Sequence, residues 1–473
     1  MKTSLLIIIF LLFQSPELFS QVKQLKLLGH WRDTNVVGST SYDNAFNEAW
    51  GFWVNGKEYG VIGSTSGTHI IDVTDPTTIF QRMLIPGASN GPHIVHRDYD
   101  QYNCYLYAVA DEGQSSLQII DISQLPDTAI VVYDSREFIT RSHNIYIDIP
   151  KARLYTCIEN GSSGYFPLGI YDLGDPIKPK FIGHYSHFGD ITASQVHDAF
   201  VRNDTAYLNC GPDGLAIMNF SDSSDPKPIL TLKPNEYPFA GYNHSGWLTP
   251  NGKTYVMADE NHGLPLKVFD LSDITNGKVI STLFASKDTM NGIPHNPLVS
   301  CDYAYVSYYY DGLQVYNIKN PAKPILEAFY PTCTLPNLRN YKGSWGNYPF
   351  LPSGNIVIAD MQNGMFVVEG VEKPCNVVYS CQSLPTKTNS VNLDFSIFPN
   401  PVNDQILFNL ENYSSQCSYQ ILNLSGNILA RGPLDNYSSY HSISVKDLAS
   451  GIYIFRTYVN GQVYSNSRLV KVH

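Results

Sequence analysis

The sequence predicts an all-β fold, and three features support this prediction. A hairpin of two apolar strands recurs seven times, with turn glycines roughly 50 residues apart. The 33 Tyr, 34 Gly and 29 Pro residues are typical of strands and turns. Turn-forming pairs such as Asp75-Pro76 and Asn320-Pro321 follow several of the hairpins. A repeat of this length, with one small antiparallel sheet per unit, predicts a seven-bladed β-propeller.

The unit around Asp311-Gly312 shows the repeat most clearly. Ala304–Tyr309 and Leu313–Ile318 are predicted strands on either side of a tight turn, where glycine accepts positive φ without a Cβ clash. Pro324–Tyr330 is a third strand, and a fourth strand before each hairpin would line the central channel. The equivalent turn glycines are Gly67, Gly113, Gly161, Gly214, Gly263, Gly312 and Gly364.

The two ends of the repeat region predict how the propeller closes. The seventh unit ends at Gly370 without an outer strand, while Leu25–Trp31 has no unit of its own. An open sheet edge invites pairing with other chains. We therefore expect the N-terminal strand to close the propeller as the fourth strand of the seventh blade. A free N-terminal arm is the alternative.

Four segments are predicted along the chain. They are a signal peptide at residues 1–20, the propeller at 21–370, a polar linker at 371–392 and a small β-sandwich C-terminal domain at 393–473. The signal peptide is indicated by Lys2 before the apolar run Leu5–Phe13, which is too short to span a membrane. No later run reaches about 18 apolar residues, so we expect no transmembrane segment in the mature chain.

Charge and cysteine content narrow the possible partners and the compartment. The net charge of −11 argues against nucleic acid, which needs a basic protein face. Eight cysteines indicate an oxidising compartment, although their connectivity cannot be deduced from the sequence. The candidate disulfides are Cys375–Cys381 and Cys301–Cys333, and the expected buried thiols are Cys157 and Cys210.

Three motifs near the C-terminus point to an export signal. They are Phe398–Pro401, Leu448–Ile454 and the basic segment Arg468–Val472. Together they resemble the C-terminal sorting domain of type IX secretion substrates. The resemblance implies that the type IX secretion machinery carries the chain across the outer membrane of a Gram-negative bacterium and that the sorting domain is removed. The product would then be secreted or held at the cell surface.

The repeat region Leu25–Gly370 resembles the LVIVD-repeat, choice-of-anchor B family of extracellular proteins. The similarity is carried by strands that end in an aliphatic–aspartate–aliphatic pattern, such as His69–Val73, Leu117–Ile122 and Leu266–Leu271. It implies an extracellular propeller and no particular activity.

Five of the 13 histidines occupy one equivalent position before the inner strands of units two to six, 17 to 20 residues before the turn glycine. They are His93, His143, His197, His244 and His295, and units one and seven have Glu48 and Trp345 there. In a propeller these positions meet at the channel mouth, beside acidic turn residues such as Glu112 and Glu260. Neutral imidazole is a common ligand of zinc, copper and iron, so the histidine ring is a candidate transition-metal site. Alternatively, each histidine only forms a hydrogen bond to a neighbouring strand.

Two functions fit these features. The first is a secreted or surface binding module that presents its channel face to an unknown extracellular protein, glycan or small molecule. The second is a metal-dependent enzyme that uses the histidine ring for Lewis-acid or redox chemistry at an open coordination position. No G-x-S-x-G, H-E-x-x-H or P-loop motif is present, so the sequence assigns no catalytic residue.

Overall fold

A computed structural model describes residues 22–285, 290–375, 380–381, 397–409, 417–423, 428–434, 440–459 and 462–472. The chain divides into two compact units, residues 1–383 and 384–473. Helical structure in the described ranges is limited to the 3-10 turns Ile149–Lys151, Pro234–Glu236 and Ile274–Asn276. The prediction of an all-β chain is therefore confirmed, while the predicted signal peptide lies outside the described residues.

The first unit consists mainly of antiparallel sheets, numbered here in chain order, whose strands follow one another along the chain. Sheet 1 contains Phe46–Val54, Lys57–Ser64, Gly67–Asp72 and Phe80–Pro86. Sheet 2 contains Arg97–Tyr102, Tyr105–Ala110, Leu117–Asp121 and Ile130–Ser135. Sheet 3 contains Asn144–Asp148, Arg153–Gly161, Gly164–Asp172 and Lys180–Tyr185. Sheet 4 contains Asp198–Arg202, Thr205–Asn209, Leu215–Asn219 and Lys227–Leu232.

Three further sheets continue the series. Sheet 5 contains Asn243–Leu248, Thr254–Asp259, Leu266–Asp270 and Lys278–Leu283. Sheet 6 contains Pro297–Ser300, Tyr303–Ser307, Leu313–Asn317 and Ile325–Tyr330, with Lys23–Gln24 parallel to its outer strand. Sheet 7 contains Ser344–Tyr348, Ile356–Asp360 and Gly364–Val368, and its fourth strand is Leu27–Trp31. A small hairpin, His187–Phe188 with Ile191–Thr192, lies between sheets 3 and 4 in the chain.

Local sequence explains these hairpins. Gly312, for example, has a φ of +74°, and a Cβ there would collide with the carbonyl oxygen of Tyr330. Only glycine fits such a turn without strain. The strands around it are buried on both faces, which explains why they read as nearly continuous runs of aliphatic and aromatic residues.

Apolar clusters join each sheet to the next. One such cluster lies between sheets 1 and 2, another between sheets 2 and 3, and so on around to sheets 7 and 1. The last of these packs Phe46 and Ile62 of sheet 1 against Val357 and Met365 of sheet 7. The sheets therefore pack as a closed ring, with the first strand of each sheet facing a central channel.

The ring closes through the N-terminal segment. Leu27–Trp31 pairs antiparallel with Gly364–Val368, and Trp31 lies opposite Met365. Leu25 is 2% exposed and packs in the apolar cluster between sheets 6 and 7. The segment is thus part of the ring and not a free arm.

The second unit contains two sheets among its described residues. One consists of Ile397–Phe398, Gln405–Asn409 and Tyr440–Ser444, and the other of Cys417–Leu422, Ile428–Leu434, Gly451–Val459 and Gln462–Lys471. Side chains of both sheets share one apolar cluster, which includes Ile406, Phe408 and Phe455.

Both predicted disulfides are wrong. The structure pairs Cys104 with Cys381 and Cys301 with Cys375. Ser380–Cys381 runs parallel to the end of Phe46–Val54, and this path brings Cys381 beside the sheet 2 hairpin that contains Cys104. Cys333 is instead buried in a cluster with Tyr309 and Tyr310. Cys157 and Cys210 are buried thiols, as predicted.

The closing segment offers a matched pair of leucines for a stability test. Because Leu25 is 2% exposed and Leu27 is 43% exposed, only Leu25→Ala removes buried apolar contacts. We expect Leu25→Ala to lower the free energy of unfolding by about 3 kcal/mol, and Leu27→Ala to change it by less than about 0.5 kcal/mol. Urea denaturation of both variants measures the difference. Equal effects of the two substitutions would contradict the observed closure.

Candidate metal centre at the channel mouth

One histidine from each of sheets 2 to 6 lies at the same end of the channel. These five, called the histidine ring below, are His96, His143, His197, His244 and His295. Centroids of successive imidazoles are 4.0, 4.2, 4.1 and 4.3 Å apart. Trp345 of sheet 7 lies 5.0 Å from His295 and 5.5 Å from His96, which completes a circle of six aromatic rings.

The structure places His96, and not the predicted His93, in this ring. His93 is exposed, and its Nε2 lies 3.0 Å from the Ser89 hydroxyl. His96 directly precedes the inner strand of its sheet, as His143 and His197 do in theirs. Counting back from the turn glycine misses this position because sheet 2 has a longer hairpin loop between Ala110 and Leu117. Counting from the strand start identifies it.

Hydrogen bonds at Nδ1 orient three of the imidazoles. Nδ1 of His197 lies 3.1 Å from the carbonyl oxygen of His244, and Nδ1 of His295 lies 2.5 Å from that of Trp345. A carbonyl oxygen only accepts, so these Nδ1 atoms carry the proton and each Nε2 keeps its lone pair. Nδ1 of His143 bonds to the Asp111 carboxylate at 2.8 Å. This arrangement is typical of histidines that bind metals through Nε2.

Glu260 adds a carboxylate to the ring. Its oxygens lie 3.8 Å from Nε2 of His244 and 3.9 Å from Nε2 of His295. One ligand atom from each of these three residues lies within 4.8 Å of the other two. The Tyr309 hydroxyl donates to Oε1 of Glu260 at 2.5 Å and fixes the carboxylate in place.

A buried ion pair holds the turn that carries Glu260. Asp259 accepts from Nζ of Lys267 at 2.5 Å and from the backbone N–H of Gly241 at 3.0 Å. Both partners of the ion pair are fully buried. The position of Glu260 is therefore set by the end of its strand.

Burial sets the protonation of most of the ring. It lowers the pKa of His96, His197 and His244 well below the usual range, and neighbouring imidazoles lower them further. Burial also lowers the pKa of His295 to about 3 and raises that of Glu260 to about 7. Four imidazoles are thus neutral near pH 7, the state in which imidazole binds metals.

His143 differs from the other four. Burial alone would lower its pKa, but the hydrogen bond and the charge of Asp111 outweigh burial and raise it above the usual value. The same contact lowers the pKa of Asp111 despite its burial. The pair can therefore hold or release a proton near neutral pH.

The ring opens into a cavity of about 250 Å³. Tyr42 and Tyr341 form part of its rim, with ring centroids 5.6 Å apart. Of the acidic turn residues, Asp111, Glu112 and Glu260 line the cavity. Glu112 accepts the backbone N–H groups of Val95 and His96, which fixes the approach to the ring. The cavity can admit a small molecule to any ion bound by Glu260 and its neighbours.

Residues 396–471 match the family described as a secretion system C-terminal sorting domain. The chain carries a type IX sorting domain. It is therefore exported through the type IX secretion machinery to the cell surface or beyond. The three C-terminal motifs lie within or at the end of the matched range. No helix in the described ranges is long and apolar enough to cross a membrane.

Solved structures share the fold of the first unit. A protein from Lactobacillus plantarum has a TM-score of 0.50 and 13% identity over 71% of this chain and 98% of its own. The β-propeller domain of Cps50 (Swd1) from Myceliophteria thermophila has a TM-score of 0.48 and 11% identity over 69% of this chain and 97% of its own. No curated protein matches the sequence. The ring of four-stranded sheets is a β-propeller fold, and similarity at these identities carries no function.

The Asp111–His143 contact predicts a measurable change in one histidine. In Asp111→Asn the charge is lost while burial remains, so we expect the pKa of His143 to fall from above 6.5 to below it. Nuclear magnetic resonance of protein with labelled histidines measures the titration. Asp213→Asn is the control, because Asp213 is also a turn carboxylate but accepts from Ser194 and not from a histidine. An unchanged pKa in Asp111→Asn would show that another group holds the proton.

Proposed function

We propose that this exported protein is a metal-dependent enzyme built on a seven-bladed β-propeller, with a divalent transition metal at the channel mouth. The single observation that carries the proposal is the approach of His244, Glu260 and His295, whose ligand atoms lie within 4.8 Å of one another. Two imidazoles and one carboxylate are the ligand set of catalytic zinc sites and of non-haem iron sites.

The surroundings of the three residues support this assignment. His244 is buried, and within the described part of the chain its Nδ1 has no hydrogen-bond partner. A buried polar atom without a partner is costly, so the imidazole suits a site completed by a bound group. His295 is held at Nδ1 by a backbone carbonyl, and Glu260 is held by Tyr309. Second partners of this kind are typical of metal ligands.

His143 is the candidate proton carrier of the reaction. It lines the same cavity as the three ligands, and Asp111 stabilises its protonated form. A bound ion would supply Lewis-acid polarisation of a substrate oxygen or water. Nε2 of His143 would then accept or return the proton, with Asp111 holding the imidazole in one tautomer. The reaction class that fits is metal-assisted chemistry on a small extracellular molecule.

A second candidate function is the binding of a protein or glycan at the same face of the propeller. It is favoured by Tyr42, which is exposed at the cavity rim and packs edge-on against Tyr341. Aromatic side chains with one exposed edge are frequent in binding surfaces. The resemblance of Leu25–Gly370 to the LVIVD-repeat, choice-of-anchor B family supports an extracellular propeller in either case and supplies no activity.

Metal content tests the proposal directly. Protein purified without a polyhistidine tag and dialysed against Zn²⁺ should hold one ion per chain by elemental analysis. His244→Ala combined with His295→Ala removes two ligands, so we expect metal at background level in that variant.

His93→Ala is the matched control, because His93 is an exposed histidine outside the ring. It should retain the wild-type metal content. Absence of stoichiometric metal from the wild-type protein, or its retention in the double variant, would reject the metal centre and leave the binding function.

A further inference from the structure

Below the histidine ring, the channel is lined by side chains that end in oxygen. Six of the seven sheets contribute one such residue at this level, and the set is called the oxygen layer below. Its members are Glu48, Asp98, Asn144, Asp198, Asn296 and Asn347, and they line one cavity of about 50 Å³. Ser245 of sheet 5 also lines this cavity, but its hydroxyl donates to the carbonyl oxygen of His295.

The three carboxylates of the layer lack a basic partner. Ion pairs of lysine and arginine in the described part of the propeller lie elsewhere, for example at Asp72, Asp204 and Asp259. Within the layer, Glu48, Asp98 and Asp198 repel one another. Buried carboxylates are costly unless a positive charge compensates them.

Backbone donors nevertheless support the ionised form of each carboxylate. Ala49 N–H donates to Glu48 at 2.9 Å, and Ala199 N–H donates to Asp198 at 2.7 Å. Asp98 accepts the N–H of Ile145 at 2.7 Å. Hydrogen bonds of this kind favour the charged carboxylate. The layer is thus built to keep negative charge inside the channel.

The amide groups of the layer leave their oxygens unpaired. Nδ2 of Asn296 donates to Glu48 at 2.7 Å, and Nδ2 of Asn347 donates to the carbonyl oxygen of Asn296 at 3.1 Å. Asn144 donates to Asp198. Because each nitrogen faces an acceptor, the amide orientation is fixed and the remaining atom is the oxygen.

These oxygens have no partner of their own. Oδ1 of Asn144, Asn296 and Asn347 is buried without a hydrogen bond in the described ranges. The three residues are 8%, 8% and 1% exposed. Unpaired carbonyl oxygens beside uncompensated carboxylates require a positive charge or a donor.

We propose that the oxygen layer binds one partly hydrated divalent cation of the calcium type. Calcium takes six to eight oxygen ligands, carboxylates and amide carbonyls among them, in irregular geometry. The cavity of about 50 Å³ has room for the ion and one or two waters, since a water occupies roughly 30 Å³. The site is distinct from the centre above it, because imidazole nitrogen suits transition metals and carboxylate oxygen suits calcium.

Terbium luminescence tests the proposal on the full-length protein. Trp50 and Trp247 line the same cavity, so a Tb³⁺ ion in the layer accepts energy from excited tryptophan. We expect a saturable signal at one Tb³⁺ per chain that Ca²⁺ displaces. The apparent Kd for Ca²⁺ should fall in the range of extracellular calcium modules, roughly 10⁻⁴ to 10⁻³ M.

Paired variants locate the ion. Glu48→Gln combined with Asp198→Asn removes two charges, and we expect Ca²⁺ affinity to fall roughly tenfold or more. Asp148→Asn is the matched control, since Asp148 is a buried carboxylate outside the layer whose oxygens accept the N–H groups of Asn203 and Asp204. It should bind Ca²⁺ as the wild type does. Asn144→Ala, which removes only one carbonyl oxygen, is the second variant should the double variant not fold.

The two metal sites fail independently. His244→Ala with His295→Ala should keep its Ca²⁺ and Tb³⁺ binding while it loses the transition metal. A wild-type protein with no saturable Tb³⁺ signal would overturn the oxygen-layer site, whatever the outcome at the histidines. Undiminished Ca²⁺ affinity in the Glu48→Gln, Asp198→Asn variant, or in Asn144→Ala, would do the same.

Discussion

The structure depends on face-to-face packing between neighbouring sheets. Each interface buries aliphatic and tyrosine side chains from two sheets, as Tyr99 and Leu106 pack with Phe52 and Val61 between sheets 2 and 1. This burial is the dominant favourable contribution to folding. It also holds the first strand of every sheet at a fixed distance from one axis. Polar residues at the start of those strands then have only the channel to face, and they must find their partners there.

This constraint explains why the channel separates into two levels of different chemistry. Residues at the entry of the inner strands present imidazole nitrogens, and those one or two positions further present carboxylate and amide oxygens. His197 and Asp198 show the change from one level to the next. Backbone carbonyls and N–H groups of the next sheet orient both levels, as when the carbonyl of His244 holds His197. The ring therefore positions donors without strained loops.

Much of this could be predicted from local pattern. Turn glycines and apolar strands are properties of a few adjacent residues, so the repeat, the all-β class and four of the five ring histidines follow from the sequence. His96 was missed because the count from the glycine assumed equal hairpin loops. Glu48 was aligned with the ring but lies in the oxygen layer, because its strand is irregular between Phe46 and Ala49. The disulfide of Cys104 and Cys381 joins residues 277 apart, and no local pattern reports such a contact.

The closing strand has a consequence for biogenesis. Its backbone bonds to residues far along the chain, and the N–H of Lys26 reaches Glu369 across 343 positions. Contacts this remote form late, since the entropy of joining the two ends must be lost first. During synthesis Leu27–Trp31 is made long before Gly364–Val368 exists, so the seventh sheet cannot be completed co-translationally. The circle is sealed only after the last sheet has been delivered, which couples maturation of the channel to the arrival of a whole polypeptide.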